Sequence, residues 1–367
     1  LYESTGTTMA TRAYCSNLKN FWKLTAMREC KVSYPTRINL ARLPTPVHPL
    51  RHHGAMPNME IFMKRDDLTG SALSGNKIRK LEFVLADAVA QKADTVLTCG
   101  GAQSNHCRAT AIAAAMLGLK CRLLLRTAEP SNPPFPEANI LLDLMAGAEI
   151  VWITPEQYKI RDEIFEREAT SLKKAGRKPY IIPEGASNAL GAWGYIRGIE
   201  ELINDIANLP GGPHKDTTII SATGSGGTSA GLILGTKIFD LNARVVGVNV
   251  CDDRDYFVRT IGEICESAIT DYHLQIDFSR DSDINIIDGY VGRGYALSRP
   301  EELSVICDFA RTEGIFLDPV YTGKAFFGMV QELKRDPKCF GERIIFIHTG
   351  GIFGLFPKAR EIQPLLA

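Results

Sequence analysis

Neither sign of charge prevails in this sequence, in which 42 lysines and arginines face 42 aspartates and glutamates. That balance removes the electrostatic case for nucleic acid or an anionic membrane surface as a partner. No apolar run approaches the roughly 20 residues of a membrane span. Cysteine occurs nine times but never as Cys-x-x-Cys, and Cys99, Cys121 and Cys307 sit inside strand-like or helical runs. Scattered in this way, the cysteines read as reduced, mostly buried thiols of a cell interior and not as a disulfide framework. The histidines offer no metal site. His52 and His53 are adjacent and so point apart, and with His48 they read as a surface loop. Internal repeats and low-complexity tracts are absent.

What is present is an alternation of strand-like and helical segments. Strand-like runs cover Ile61–Lys64, Thr95–Cys99, Cys121–Leu125, Glu149–Ile153, Tyr180–Pro183, Thr217–Ala222, Arg244–Val250 and Arg343–Ile347. Helical runs lie between them, among them Asn139–Ala146 and Ala189–Ile206. This alternation predicts an α/β fold of mostly parallel sheets with helices on both faces. Pro130 to Pro136 and Leu209 to His214 read as surface loops, the second as a domain seam.

Five motifs carry the chemistry. The first is Ser74-Gly75-Asn76-Lys77-Ile78-Arg79-Lys80. Gly75 and Asn76 suit a turn into a helix, with Asn76 as cap. Lys77 then falls in the first helical turn, where oriented N–H groups disfavour a cation and ease loss of its proton. An uncharged amine is what Schiff-base chemistry needs. Lys80, three residues on, shares its face and suits a phosphate. Two solvated lysines at a helix start are the plainer alternative.

The second motif, Thr223-Gly224-Ser225-Gly226-Gly227-Thr228, follows the strand-like Thr217–Ala222 and precedes a helical run from Ser229 to Phe239. Glycines there let backbone N–H groups approach an anion, as in a phosphate cradle. No Gly-Lys-Ser/Thr ends it, so it is not a nucleotide P-loop. The third is Gly100-Gly101-Ala102-Gln103-Ser104-Asn105-His106, where Ser104 and Asn105 open a helical run. They are either a capped helix start or donors for a substrate carboxylate and a cofactor hydroxyl. His106 reads as a donor behind that site or as an exposed helix residue, and Cys107 as a small core residue. The fourth motif is Leu317-Asp318-Pro319-Val320-Tyr321-Thr322-Gly323-Lys324, and the fifth His348-Thr349-Gly350-Gly351. Both lie just past strand-like runs, where open α/β sheets place ligands.

Together, over Leu40 to Leu366, these motifs resemble the pyridoxal-phosphate enzymes of the tryptophan-synthase-β type, fold type II. They are most similar to the branch holding D-cysteine desulfhydrase and 1-aminocyclopropane-1-carboxylate deaminase. The resemblance implies pyridoxal 5'-phosphate as cofactor, a small amino acid as substrate and a homodimer. It makes Lys77 the Schiff-base lysine and Lys80 a phosphate ligand. Asn105 matches the asparagine on the ring hydroxyl, Ser104 a substrate-carboxylate residue, and Gly224 to Thr228 the phosphate loop. Tyr295 and Tyr321 look like the two active-site tyrosines, each otherwise a half-buried aromatic. Thr322 matches the position facing the pyridine nitrogen.

Thr322 also divides the family, since the deaminase carries glutamate there and desulfhydrase-type members threonine. A carboxylate would keep the nitrogen protonated and the ring a strong electron sink, whereas a hydroxyl offers a neutral hydrogen bond. The expectation is therefore β-elimination from D-cysteine, giving pyruvate, sulfide and ammonia. The deaminase, or a silent cofactor-binding homologue, is the alternative. The implied domains are an N-terminal extension at 1–35, a discontinuous large domain at 36–82 and 196–367, and a small domain at 83–195.

Leu1 to Thr8 precede Met9 and read as an appended segment or the remainder of a longer precursor. Met9 to Lys31 carries Arg12, Lys19, Lys23, Arg28 and Lys31 against Glu29 alone. That suits a mitochondrial presequence, or equally a basic arm or a first helix packed through Phe21, Trp22 and Leu24. The implied location is intracellular, cytoplasmic or mitochondrial.

Overall fold

Two sheets, both built mainly of parallel strands, set the architecture. The structure is a computed structural model and describes residues 32–51 and 59–366. The larger sheet holds β1 (Val47–Pro49), β2 (Glu60–Lys64), β7 (Thr217–Thr223), β8 (Ala243–Asn249), β9 (Asn285–Ile287) and β10 (Arg343–Ile347), in the order β1-β2-β10-β7-β8-β9. The smaller holds β3 (Thr95–Gly101), β4 (Lys120–Arg126), β5 (Glu149–Ile153) and β6 (Pro179–Ile181), in the order β5-β4-β3-β6. β1 pairs antiparallel with β2, and the remaining described pairings are parallel. Both sheets lie in one compact unit spanning residues 34–367.

All eight strand-like runs of the sequence are strands here. β3 and β7 are buried almost throughout, as parallel strands covered on both faces must be. β1 and β9 add three-residue edge strands that are too short to show a period. The longer helices are α1 (Lys77–Ala90), α2 (Asn105–Met116), α3 (Ala138–Met145), α4 (Arg161–Lys174), α5 (Ala189–Ala207), α6 (Gly227–Ile238), α7 (Arg254–Asp271), α8 (Pro300–Glu313) and α9 (Thr322–Arg335).

One core joins the large sheet to α8 and α9 through Met63, Ile220, Val248, Phe309, Phe326 and Phe346. A second joins α1 and α2 to the small sheet through Leu81, Val84, Ala111, Val96, Leu123 and Ile182. Burying one such large apolar side chain is worth roughly 1.5–3 kcal/mol. α5 crosses α6 closely. A Cβ at Gly231 would lie 2.3 Å from the Ala192 carbonyl oxygen, so only glycine permits that approach.

Cys99, Cys107, Cys121 and Cys307 are buried free thiols, as the sequence suggested. Positions 83 and 195 fall inside α1 and α5. The segment Pro130 to Pro136 is largely exposed. The basic stretch Met9–Lys31, the packing expected of Phe21, Trp22 and Leu24, and the loop reading of His52 and His53 lie outside the described residues. Tyr34 donates to Glu200 at 2.9 Å and meets the Trp193 ring edge-on. No described helix is long and apolar enough to cross a membrane. No group of His, Cys, Asp or Glu that could hold a metal occurs among the described residues.

Parallel strands direct their C-terminal ends to one side of each sheet. The turns after β2, β3, β7 and β10 carry the lysine motif, the Ser104-Asn105 motif, the glycine loop and the His348 motif, respectively.

Candidate active site

α1 begins at Lys77, after Gly75 at φ +116. Asn76 does not cap the helix as expected. Its backbone is already helical, and its Nδ2 instead donates to Thr228 Oγ1 at 3.0 Å, linking α1 to the glycine loop. α1 is anchored by a buried ion network that the sequence did not disclose. Arg79 clamps Asp66 through Nε at 2.8 Å and Nη2 at 2.7 Å, and its Nη1 donates to Glu201 at 2.9 Å. Tyr195 donates to Asp66 at 2.5 Å, and Lys64 Nζ reaches Glu201 at 2.7 Å. Burial alone pushes the Asp66 carboxyl up, but the Arg79 charge and hydrogen bonds overcome this and hold it below its usual range.

Lys77 and Lys80 lie side by side, and neither is in an ion pair with a carboxylate among the described residues. Burial lowers the Lys77 amine, against an opposing pull from Glu184. Lys80 is fully buried and driven further down, by burial first and then by the neighbouring Lys77 charge. Lys80 donates to Ser187 Oγ at 3.2 Å, and Ser187 Oγ lies 2.9 Å from Ser225 Oγ and accepts the Gly227 N–H at 3.3 Å. Gly185, at φ +66, makes room here. A Cβ on it would come within 3.0 Å of Lys77 Nζ and 2.4 Å of Ser225 Oγ.

A cavity opens beside these groups. Lys77, Asn105, Tyr321 and the turn Thr223 to Gly226 with Thr228 line it. Thr223 and Ser229 hydroxyls are 2.9 Å apart beneath the loop, and Gly227 opens α6 directly behind it. The loop backbone thus meets the N-terminal end of a helix of 12 residues, where unpaired N–H groups favour an anion.

Asn105 opens α2, and Asn139 Nδ2 donates to its Oδ1 at 3.0 Å. Ser104 caps α2 by accepting the Cys107 N–H at 3.2 Å, and it does not line the cavity. His106 is buried, not exposed. One ring nitrogen lies 2.8 Å from Thr98 Oγ1, and burial with the Lys77 and Lys80 charges holds its pKa well below the usual value, so it is neutral. His348 is a turn residue: its Nδ1 accepts the Gly350 N–H at 3.1 Å, which leaves Nε2 to donate to the Phe316 carbonyl at 3.0 Å.

Tyr295 and Tyr321 meet edge-on, with their hydroxyl oxygens 2.7 Å apart. Arg126, at the end of β4, stands 5.3 Å from the Tyr295 ring centre. Burial pushes both phenols above their usual value. Thr322 is fully buried behind Tyr321 in the chain and does not line the cavity. Its Oγ1 donates to Asp318 Oδ1 at 2.7 Å and accepts the Asp318 N–H at 2.7 Å.

Sequence reading missed Ser187, Glu184 and Thr349. The first two follow β6, so the rule that ligands sit past strand ends would have found them. Thr349 lines the cavity from a motif that the sequence did single out.

The residues fit pyridoxal phosphate. A phosphate is what two adjacent buried lysines and a glycine-rich helix start would hold, and Lys77 offers an amine of lowered basicity to an aldehyde. The comparisons with known proteins agree. Residues 38–350 match the family model described as pyridoxal-phosphate dependent enzyme. The mitochondrial bifunctional D-cysteine desulfhydrase/1-aminocyclopropane-1-carboxylate deaminase of Arabidopsis thaliana is 42% identical over 333 residues, covering 89% of this chain and 81% of that protein. A putative 1-aminocyclopropane-1-carboxylate deaminase of Thermotoga maritima is 44% identical over 327 residues, covering 89% of this chain and 99% of that one. The crystal structure of an ACC deaminase homologue superposes with a TM-score of 0.79 at 35% identity, covering 93% of this chain and 99% of that one. On this likeness of sequence, fold and site, the chain belongs to the pyridoxal-phosphate dependent enzymes.

Proposed function

We propose that this enzyme is a β-eliminating lyase that converts D-cysteine to pyruvate, ammonia and sulfide. One observation carries the choice of reaction: among the described residues, no aspartate or glutamate lines the cavity. Thr322 does not line the cavity either, and its hydroxyl proton is spent on Asp318, so this position offers a ring nitrogen no charge. A nitrogen so placed is less firmly protonated than one beside a carboxylate. That suits a substrate whose β-substituent leaves promptly, and it suits cyclopropane opening less well.

On this reading the residues take the roles that the resemblance implies. Lys80, Ser225 and the backbone of Gly224 to Thr228 hold the phosphate, and Asn105 meets the ring hydroxyl. Bound pyridoxal phosphate supplies the sink for the electron pair left when the substrate's Cα proton is removed. Lys77 takes that proton at Nζ, its basicity already lowered toward the working range. Ser104, the cap of α2 and outside the cavity lining, is assigned to the substrate carboxylate by the resemblance alone. Tyr295 and Tyr321, kept protonated by burial, deliver a proton to the departing sulfur. The released three-carbon product takes up water to give pyruvate and ammonia.

The same reading treats residues 83–195 as a small domain that closes over the cleft, supported by the four-stranded sheet lying wholly within that range. It includes a homodimer, supported by Leu144, Met145 and Phe356, exposed where α3 packs against the turn at Ile352–Lys358. Light scattering that returned a monomer would remove that part alone. An intracellular location, cytoplasmic or mitochondrial, rests on the basic stretch Arg12 to Lys31. A fluorescent fusion imaged outside cells would end it. The test of the reaction is product analysis with D-cysteine and with 1-aminocyclopropane-1-carboxylate side by side. Release of 2-oxobutyrate from the cyclopropane at a comparable rate would favour the deaminase.

A further inference from the structure

The Asn105 side-chain amide has a donor end and an acceptor end, and its neighbours decide which one faces the cavity. Asn139 on α3 is fully buried. Its Nδ2 donates to the Gln103 backbone carbonyl at 2.9 Å and to Asn105 Oδ1 at 3.0 Å. Its own backbone N–H donates to Gln103 Oε1 at 3.0 Å, and Gln103 Nε2 donates to the Glu137 carbonyl at 3.1 Å, so the segment is held from both sides. A backbone carbonyl can only accept. The end of Asn139 that meets it is therefore the NH2 end. The second proton of that NH2 needs an acceptor on Asn105, which is Oδ1. Asn105 Nδ2 is left on the other side of the amide, close enough to Gly351 that a Cβ there would lie 3.0 Å from it, and Asn105 itself lines the cavity.

We propose that Asn139 is a positioning residue. By fixing the direction of the Asn105 amide, it makes the cavity present an N–H donor, and no acceptor, to the ring oxygen of the bound cofactor. This rests on the role given to Asn105 above. A donor stabilises the ionised oxygen, and a reversed amide would favour the protonated one. Asn139 Oδ1 is itself buried without a hydrogen-bond partner among the described residues. A residue kept for packing alone has no need of that cost, since an apolar side chain would leave no buried polar atom unpaired.

Other charged groups face this region. Arg108 lies one turn along α2, Asp143 one turn along α3, Lys77 and Lys80 on α1, and Asp318 across Gly351. Tyr321 adds its phenol and His106 its neutral ring. None of them is removed by a substitution at Asn139.

The test is Asn139→Leu in the holoenzyme, read by the pH titration of the visible cofactor band and by equilibrium dialysis of pyridoxal phosphate. The titration midpoint should rise by about one pH unit and the dissociation constant about tenfold. In an Asn105→Ala background the same change should move the midpoint no further, which a merely structural role would not produce. If the leucine variant does not fold, Asn139→Ala reads the same quantities with the same expectations. A visible band that titrates as in the parent enzyme overturns this inference and leaves the cofactor site standing. A parent protein that forms no band with pyridoxal phosphate overturns both.

Discussion

The hydroxyl oxygens of Tyr295 and Tyr321 lie 2.7 Å apart, although 26 residues separate them in the chain. One phenol donates to the other, so the pair has a single proton left to give outward. Burial pushes both above their usual value near 10. Through the neutral range the pair therefore stays protonated and fit to act as an acid toward departing sulfur.

Removing either hydroxyl should slow turnover of D-cysteine by roughly 10²–10⁴, the span expected of a general acid. Tyr295→Phe should do so while cofactor affinity stays near that of the parent enzyme. The Tyr295→Phe, Tyr321→Phe double variant should fall short of the product of the two single losses, because the pair acts as a unit. Steady-state kinetics with sulfide detection measures all three. Fully multiplicative losses would mean that the two hydroxyls work separately.

The two buried lysines make a prediction for the apoprotein. Both amines have lowered pKa values when folded, by burial first in each case. Where they have lost protons and the unfolded chain has not, the unfolded state binds more protons, and stability rises with pH. Apoprotein stability should therefore increase as pH climbs through the two lowered values toward the ordinary lysine value near 10.4. Added inorganic phosphate should flatten the rise by favouring the charged amines. Lys80→Ala should abolish the phosphate effect in thermal melts, and Lys77→Ala should abolish the lysine-bonded visible band together with turnover.

Breaking the clamp on α1 should cost stability before it costs chemistry. Asp66→Asn leaves Arg79 buried without its bidentate partner, a loss of about 3–5 kcal/mol by analogy with other buried pairs. The Asp66 carboxyl is held below its usual value when folded, with Arg79 prevailing over burial. Its contribution is thus fully present above the usual carboxyl value and is lost as pH falls through the lower folded one. Denaturant midpoints across acidic pH, compared between parent and Asp66→Asn, should converge at the acid end.

Particular residues show what was legible in the sequence. β3 and β7 were plain because short runs rich in β-branched residues, each followed by glycine, mark strands. The three residues of β9 carry no such signal. Lys77 and Lys80 were found by helical spacing, but the hydroxyl partner of Lys80, Ser187, lies 107 residues away and enters only through the fold. Asn76 looked like a cap by type, yet its backbone is already helical and its amide serves the glycine loop. Local propensity gave way there to a tertiary partner. The Arg79–Asp66 clamp was invisible for the same reason, since nothing in the chain between them marks an ion pair whose further partners, Glu201 and Tyr195, come from α5.

The most direct test of the account adds D-cysteine to the purified protein reconstituted with pyridoxal phosphate, and follows the visible band, sulfide and pyruvate in one cuvette. Sulfide and pyruvate should form together in equal amounts, and both should vanish in Lys77→Ala. A visible band with no product from D-cysteine, and 2-oxobutyrate released from 1-aminocyclopropane-1-carboxylate instead, would contradict it.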